Sequence, residues 1–431
     1  MGQVSISDRK VGAQLVVLLL LVGFIGFAWQ AIRPLVFNTN LYDFNAYYVA
    51  ASATQKGIDP YDDEALGQLA QDLNIPKVAE YNYPPFTTLL FLPLSFLPYP
   101  TAVLVWRILN LALIVLAVWL ITKTLALPLS ATTALVIGLI VFNYDPLIYN
   151  LGIGQINLLI LVLITGAAYA WVRQRQVLAG VLLALAASIK IAPAILFIFF
   201  LWKGGLKLVA AGIAAMAAFA AIAFVALGEQ PTRKAAAIVT GLAQADNAWI
   251  ANQSWRGFLA RLFVGDEFVH AFYPAATLER GLYYAGALTI TALTAFVIYR
   301  SRRTGLFHLE FALVLITFHL ISPVTWVHHL VWMLYPLIVL AVACLDRKHL
   351  APIIFFAIGY ALIAFPLDYR SEQVFHWPQA LWISTKLYGL IILYAVNAWL
   401  LLTAPSGVIA PAHNLRTVSI ASSTLSNEVR S

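Results

Sequence analysis

The chain has 431 residues, 62% of them hydrophobic and only 10% charged. That is too little charge to cover a soluble domain of this size, and apolar runs of about 17–25 residues recur from end to end, so the composition implies a polytopic helical membrane protein. The net charge of +7 lies in short basic clusters between apolar runs, which reads as orientation signals and not as a nucleic-acid surface. A single cysteine, Cys344, sits inside an apolar run and excludes a disulfide framework.

Backbone groups in lipid must pair within their own segment, so each run is expected to be a helix. Candidate spans are 11–32, 84–98, 101–122, 128–146, 155–172, 177–202, 206–227, 281–300, 308–324, 330–345, 349–366 and 380–402. The first follows Arg9 and Lys10. It exceeds a signal-peptide core of roughly 7–15 residues and no small-x-small site follows, so it reads as an uncleaved span, a cleaved leader being the alternative. The loop 38–82 then carries Asp43, Asp59, Asp62, Asp63, Glu64, Asp72 and Glu80 against only Lys56 and Lys77. Arg173 and Arg175, Lys203 and Lys207, Arg300 to Arg303, and Arg347 and Lys348 mark the opposite, cytoplasmic side. The second half alternates cleanly, with loop 228–280 outside. The first half does not: if every run crossed, some basic clusters would land outside. Two runs are suspect, 84–98 for its prolines and 177–202 for Lys190 and Pro193. One or both are expected to be short or re-entrant, since broken helices at membrane depth are tolerated where they line protein or a watery cavity. The expected fold is all-α, with about 10–13 transmembrane or re-entrant helices and two larger extracytoplasmic loops, 33–83 and 228–280. Residues 1–403 read as one membrane domain, and the Ser-, Thr- and Ala-rich segment 404–431 as a disordered cytoplasmic tail.

Polar residues collect at the outer ends of spans. They are Asp43 after span one, YNYPPF (81–86), NYDPLIYNLGIGQIN (143–157), SIKIAP (188–193), NQSWRG (252–257) and SPVTWVHH (322–329). Ionisable residues at membrane depth are candidates for function. Each also has a structural reading. Asp43 suits a helix N-cap, Lys190 could snorkel to a headgroup, and His328 and His329 beside Trp326 suit an interfacial belt. Their convergence on one face favours a site. No HExxH or Cys/His ligand spacing points to a metal, and no GxSxG or P-loop pattern points to hydrolysis.

Transfer of a sugar from a lipid phosphate to a hydroxyl needs this set. A carboxylate serves as base for the acceptor. Cations and donors receive the leaving phosphate, for which the candidates are His328, His329, Lys190 and Arg256. Amides, tyrosines and indoles suit a sugar or acceptor: Asn45, Tyr47, Tyr83, Gln155, Asn157, Asn252, Gln253 and Trp326. A monophosphate leaving group lessens the need for a metal, which agrees with the lack of a DxD motif in the outer loops, and no cofactor is expected.

YDFNAYYVAA with Asp43, YNYPPF, GIGQINLLILVLI, SIKIAPAILFIFF and SPVTWVHHLVWMLYP together resemble glycosyltransferase family 87, over residues from about 10 to about 400. The resemblance implies a GT-C-type membrane enzyme similar to the mycobacterial polyprenol-phosphate-mannose-dependent mannosyltransferases that extend phosphatidylinositol mannosides. It implies direct inverting transfer of a hexose, mannose being the leading case, from a polyprenyl-phosphate donor outside the cytoplasm. It implies Asp43 as the base and maps the family's histidine motif onto His328 and His329. The acceptor, a glycolipid or glycan hydroxyl, does not carry over. Two rivals stay open: a transporter or flippase of lipid-linked sugars, and a ligase or polymerase using diphosphate lipids.

Overall fold

The computed structural model describes residues 18, 21–29, 41–128, 130–244, 247–302, 305–347, 349–367 and 374–404. Most of the expected first span and the expected tail lie outside the described residues. What is described is all-α, apart from two isolated bridges. Helices Tyr99–Thr124, Leu206–Leu227, Ala276–Ser301, Val327–Arg347 and Thr385–Leu402 are long and apolar enough to cross a membrane, and Ala131–Phe142 with Asp145–Ile153 forms a pair bent by 54°. Shorter apolar helices fill the space between them. The all-α polytopic architecture read from the sequence is the one observed.

In chain order the first elements are α1 (Tyr42–Gln55), α2 (Asp63–Asp72), α3 (Pro85–Ser95), α4 (Tyr99–Thr124), the bent pair α5 (Ala131–Phe142) and α6 (Asp145–Ile153), and α7 (Asn157–Val172). Next come α8 (Gln176–Ile189), a 3₁₀ turn Ala192–Ile195 running into α9 (Leu196–Trp202), and α10 (Leu206–Leu227). Then follow α11 (Glu229–Gln244), α12 (Trp255–Phe263), α13 (Ala276–Ser301) and α14 (Phe307–Ile321). The 3₁₀ turn Val327–Met333 enters α15 (Leu334–Arg347), and α16 (Leu350–Ala364), α17 (Gln379–Trp382) and α18 (Thr385–Leu402) complete the chain.

The two suspect runs behave as their residues dictate. Proline lacks an amide hydrogen, so Pro193 cannot donate to the carbonyl of Ile189 four residues earlier. Thus α8 stops at Ile189, Lys190 is extended (φ −149°, ψ 120°), and the chain turns back through Ala192–Ile195. The Ile189 carbonyl, left without its helical donor, accepts from Thr87 Oγ1 of α3 at 2.8 Å. The returning α9 ends where it began, since Phe200 lies 5.3 Å from Trp171 at the end of α7. Residues 176–202 are therefore a re-entrant hairpin. Likewise α3 lies along α1, with Phe91 stacked on Tyr47 at 4.5 Å, instead of crossing.

With those two segments not crossing, the basic clusters fall on one side. Lys203 pairs with Glu310 at 2.7 Å, Phe307 stacks near Trp171 at 6.3 Å, and Arg347 donates to Thr403 at 2.6 Å. The two acidic-side loops share the other face, where Lys234 of 228–280 pairs with Asp59 of 33–83 at 2.7 Å.

Candidate active site

The site forms where four helix ends meet on the side of the acidic loops. α1 supplies Asp43. Its N-cap is Leu41 without a side-chain cap, and Asp43 lies in the first turn. The capping role suggested by residue type is therefore not the one observed, although a carboxylate in the first turn still complements the helix dipole. α1 is held on all sides. Phe44 stacks on Trp106 at 5.7 Å, Asn45 donates to the Lys77 carbonyl at 2.7 Å and accepts from Tyr99 at 2.7 Å, and Tyr48 donates to the Leu97 carbonyl at 2.8 Å.

The turn from α6 to α7 is brought against α1 by Gly154. Its backbone is left-handed (φ +73°), and a Cβ there would lie 2.8 Å from the Phe44 Cβ. Any other residue would be strained in φ and would push α1 away. The next residue, Gln155, is 2% exposed. Tyr47 lies 2.9 Å from both the Tyr83 hydroxyl and Gln155 Oε1, and Gln155 Nε2 donates to Tyr83 at 2.8 Å.

The break after α8 delivers Lys190. Its Nζ is 2.8 Å from His329 Nε2 and 3.3 Å from Asn157 Oδ1, and lies 5.9 Å from the Tyr83 ring centroid. The two histidines stand on the 3₁₀ turn before α15, their rings at 81° to each other and 4.7 Å apart. They face different neighbours. His329 receives the Trp326 amide at Nδ1 (3.3 Å), while His328 Nε2 lies 3.4 Å from Gln155 Nε2 and its ring stacks under Tyr149 at 6.1 Å.

Asp43 stands outside the membrane-crossing helices, half-buried among these groups. Burial pushes its carboxyl up to about 7, opposed by the Lys190 charge and the Gln155 hydrogen bond. Desolvation disfavours the ionised form, and here it outweighs the two favourable neighbours. A carboxyl poised near neutrality is suited to accept a proton.

The structure thus brings Asp43, Tyr47, Tyr83, Gln155, Asn157, Lys190, His328 and His329 together. It engages five other candidates elsewhere. Arg256 pairs with Glu279 at 3.4 Å and lies over Tyr283 at 5.1 Å. Asn252 Oδ1 accepts from the Ser254 hydroxyl at 2.9 Å and the Thr325 amide at 3.0 Å. Gln253 bonds the Ile250 and Ile383 carbonyls at 2.6 and 2.7 Å. Trp326, half-buried, packs with Tyr149 and Trp249 on a small cluster that includes Val327. Asn252, Gln253 and Trp326 brace the histidine turn from outside, and Asn45 anchors α1. Sequence reasoning overlooked Tyr149 and His319. His319 is fully buried on α14, 5.6 Å from Trp332, on which His329 also stacks at 6.4 Å. Its signal was an ionisable residue within an apolar run. Among the described residues no three His, Cys, Asp or Glu side chains converge as a metal site requires.

The chain is 28% identical over 312 residues to a polyprenol-phosphate-mannose-dependent alpha-(1-2)-phosphatidylinositol pentamannoside mannosyltransferase of Mycolicibacterium smegmatis, covering 71% of this chain and 70% of the relative. It is 25% identical over 393 residues to a polyprenol-phosphate-mannose-dependent alpha-(1-2)-phosphatidylinositol mannoside mannosyltransferase of Mycobacterium tuberculosis, covering 84% and 85%. No solved structure matches the chain. The sequence model of glycosyltransferase family 87 matches residues 81–323, more than half the chain and the stretch that carries Tyr83, Gln155, Asn157 and Lys190. The family model covers more than half of the sequence, and the chain is a member of glycosyltransferase family 87.

Proposed function

We propose that the protein transfers a hexose, mannose, from a polyprenyl-phosphate donor to a hydroxyl of a phosphatidylinositol-mannoside-type glycolipid, with inversion, on the extracytoplasmic face. The donor and acceptor classes are those named for the mycobacterial relatives. The observation that carries the reading is the placing of a carboxylate poised near neutrality beside a lysine–histidine pair at the mouth of a re-entrant hairpin.

In this reading Asp43 takes the acceptor hydroxyl's proton as the oxygen attacks the anomeric carbon. The bond from that carbon to the phosphate oxygen breaks, and its electron pair leaves with polyprenyl phosphate. Lys190, with His329 beside it, faces the growing phosphate charge, where a preorganised cationic donor acts most strongly. Tyr83 and Tyr47 line the sugar side. The break after Lys190 gives the polyprenyl chain a route between helices. The face follows from charge. α7 runs about 24 Å from Asn157 at the site to Arg173 and Arg175 beyond its far end, and α15 likewise ends at Arg347. Basic residues mark the cytoplasmic end.

The test is transfer by purified protein in detergent, with polyprenyl-phosphate-mannose and a phosphatidylinositol mannoside. Product formation without a sealed compartment is expected. Activity only across sealed vesicles would indicate a transporter, and a requirement for a diphosphate lipid would indicate a ligase or polymerase.

A further inference from the structure

Residue type groups Asn157 with amides that hold a sugar. Its surroundings suit a different ligand. Asn157 is fully buried, and its Oδ1 lies 3.3 Å from Lys190 Nζ. An ammonium can only donate, so the carboxamide turns its oxygen to Lys190 and its NH2 away. That NH2 meets no acceptor among the described residues. A buried donor left unmade is costly, and it is kept where a ligand supplies the acceptor.

The neighbouring groups are donors too. Lys190 Nζ lies 2.8 Å from His329 Nε2, and the His329 ring stacks at 6.4 Å on Trp332, whose indole N–H is likewise buried without a partner among the described residues. Asn157 is also the first residue of the 16-residue α7, so the positive end of that helix lies at the same place. A sugar hydroxyl donates as well as accepts and asks for acceptors in return. The charged oxygens of a phosphate only accept. An NH2 beside a cation, with the amide oxygen already used, matches the phosphate and not the sugar.

We infer that Asn157 is a ligand of the donor phosphate, its NH2 holding a phosphoryl oxygen while its carbonyl positions Lys190 against the same group. This rests on the reading of the donor as a polyprenyl-phosphate sugar. The amide bond to oxygen strengthens as the anomeric carbon departs and charge gathers on the phosphate, so Asn157 serves the leaving group as well as binding. Tyr47 and Tyr83, whose hydroxyls meet at 2.9 Å, remain for the sugar.

The experiment is equilibrium binding of polyprenyl phosphate, which carries the phosphate and no sugar, to the purified full chain in detergent. Asn157→Asp keeps the size of the side chain and an oxygen for Lys190, and it replaces the NH2 by an acceptor. The Kd for polyprenyl phosphate is expected to rise by about 10–100-fold, the size of one hydrogen bond to a charged group, and KM for polyprenyl-phosphate-mannose to rise with it. A sugar ligand would leave that Kd unmoved and change only KM. A residue that merely anchors Lys190 would leave both near wild type, since a carboxylate anchors an ammonium at least as well. Either result overturns the inference. Should Asn157→Asp not fold, Asn157→Leu is combined with Lys190→Met. A Kd about tenfold above that of Lys190→Met alone is expected, and no further rise overturns the inference. Wild type separates the two levels. If it does not bind polyprenyl phosphate at all, the donor reading itself has failed. If it binds and the Asn157 variant binds equally well, only the role of Asn157 has failed.

Discussion

A fully buried lysine and a half-buried one lie on the same side of this molecule, and their surroundings differ in kind. Lys386 is fully buried, and its three hydrogens meet three acceptors: Asp145 Oδ2 at 2.8 Å, the Ile363 carbonyl at 2.8 Å and the Phe365 carbonyl at 2.7 Å. It knots α6, α16 and α18 together. Lys190 has a long contact to Asn157 at 3.3 Å and a histidine nitrogen at 2.8 Å, and its charge bears on Asp43 without an ion pair within 4.0 Å being formed. Around it Asn157 Nδ2, His328 Nδ1 and Trp332 Nε1 are buried without a hydrogen-bond partner among the described residues. A satisfied buried cation stabilises a fold, whereas a half-satisfied one costs stability and persists where something else must bind. The difference sets Lys386 apart as architecture and leaves Lys190, in the proposed mechanism, as machinery.

Removing the amines should separate the two. Lys386→Met leaves Asp145 and two carbonyls without their donor, so a loss of about 3–5 kcal/mol is expected. It should appear as a much lower melting temperature in detergent and poor recovery of folded protein. Lys190→Met should fold at least as well as wild type and lower turnover by about 10²–10³, as for loss of an electrostatic donor. If both variants lost stability equally, or if Lys190→Met kept its turnover, the distinction would collapse.

A smaller effect is expected where the hairpin is tied down. Thr87→Val keeps shape but orphans the Ile189 carbonyl, at a cost of about 1–3 kcal/mol. Since Lys190 follows directly, KM for the donor should rise along with the fall in thermal stability. A change in stability with unaltered KM would show that the break holds its shape without α3.

A further effect is set by pH. Asp43 must be ionised to accept a proton, and its carboxyl is pushed up to about 7. The ionised fraction therefore falls as pH drops through 7, and kcat/KM should decline about tenfold per unit below it. A profile flat from pH 5 to 8 would exclude a carboxyl so poised as the base.

Much of the site was legible because the membrane makes polar residues conspicuous. Lys190 and Pro193 in one apolar run foretold the re-entrant hairpin, and Asp43, YNYPPF and the histidine pair stood out against their surroundings. What failed to show was pairing across the chain. Arg256 looked like a phosphate ligand because nothing local reveals Glu279 on the next helix. Asn252 and Gln253 resembled sugar-binding amides, yet their partners are backbone groups of 323–325 and 383–386. Asp43 read as an N-cap because residue type favours it, while the chain starts the helix one residue earlier, at Tyr42. His319 escaped notice inside a run that was counted only as a span.

The central claim is that Asp43 accepts the acceptor's proton. Asp43→Asn retains size and removes that capacity, and Asp43 makes no cap whose loss could confuse the result. With purified protein in detergent at pH 8, saturating polyprenyl-phosphate-mannose and acceptor, kcat should fall by about 10²–10⁴. Donor affinity and melting temperature should stay near the wild-type values. Transfer by the folded variant at close to the wild-type rate would contradict the account.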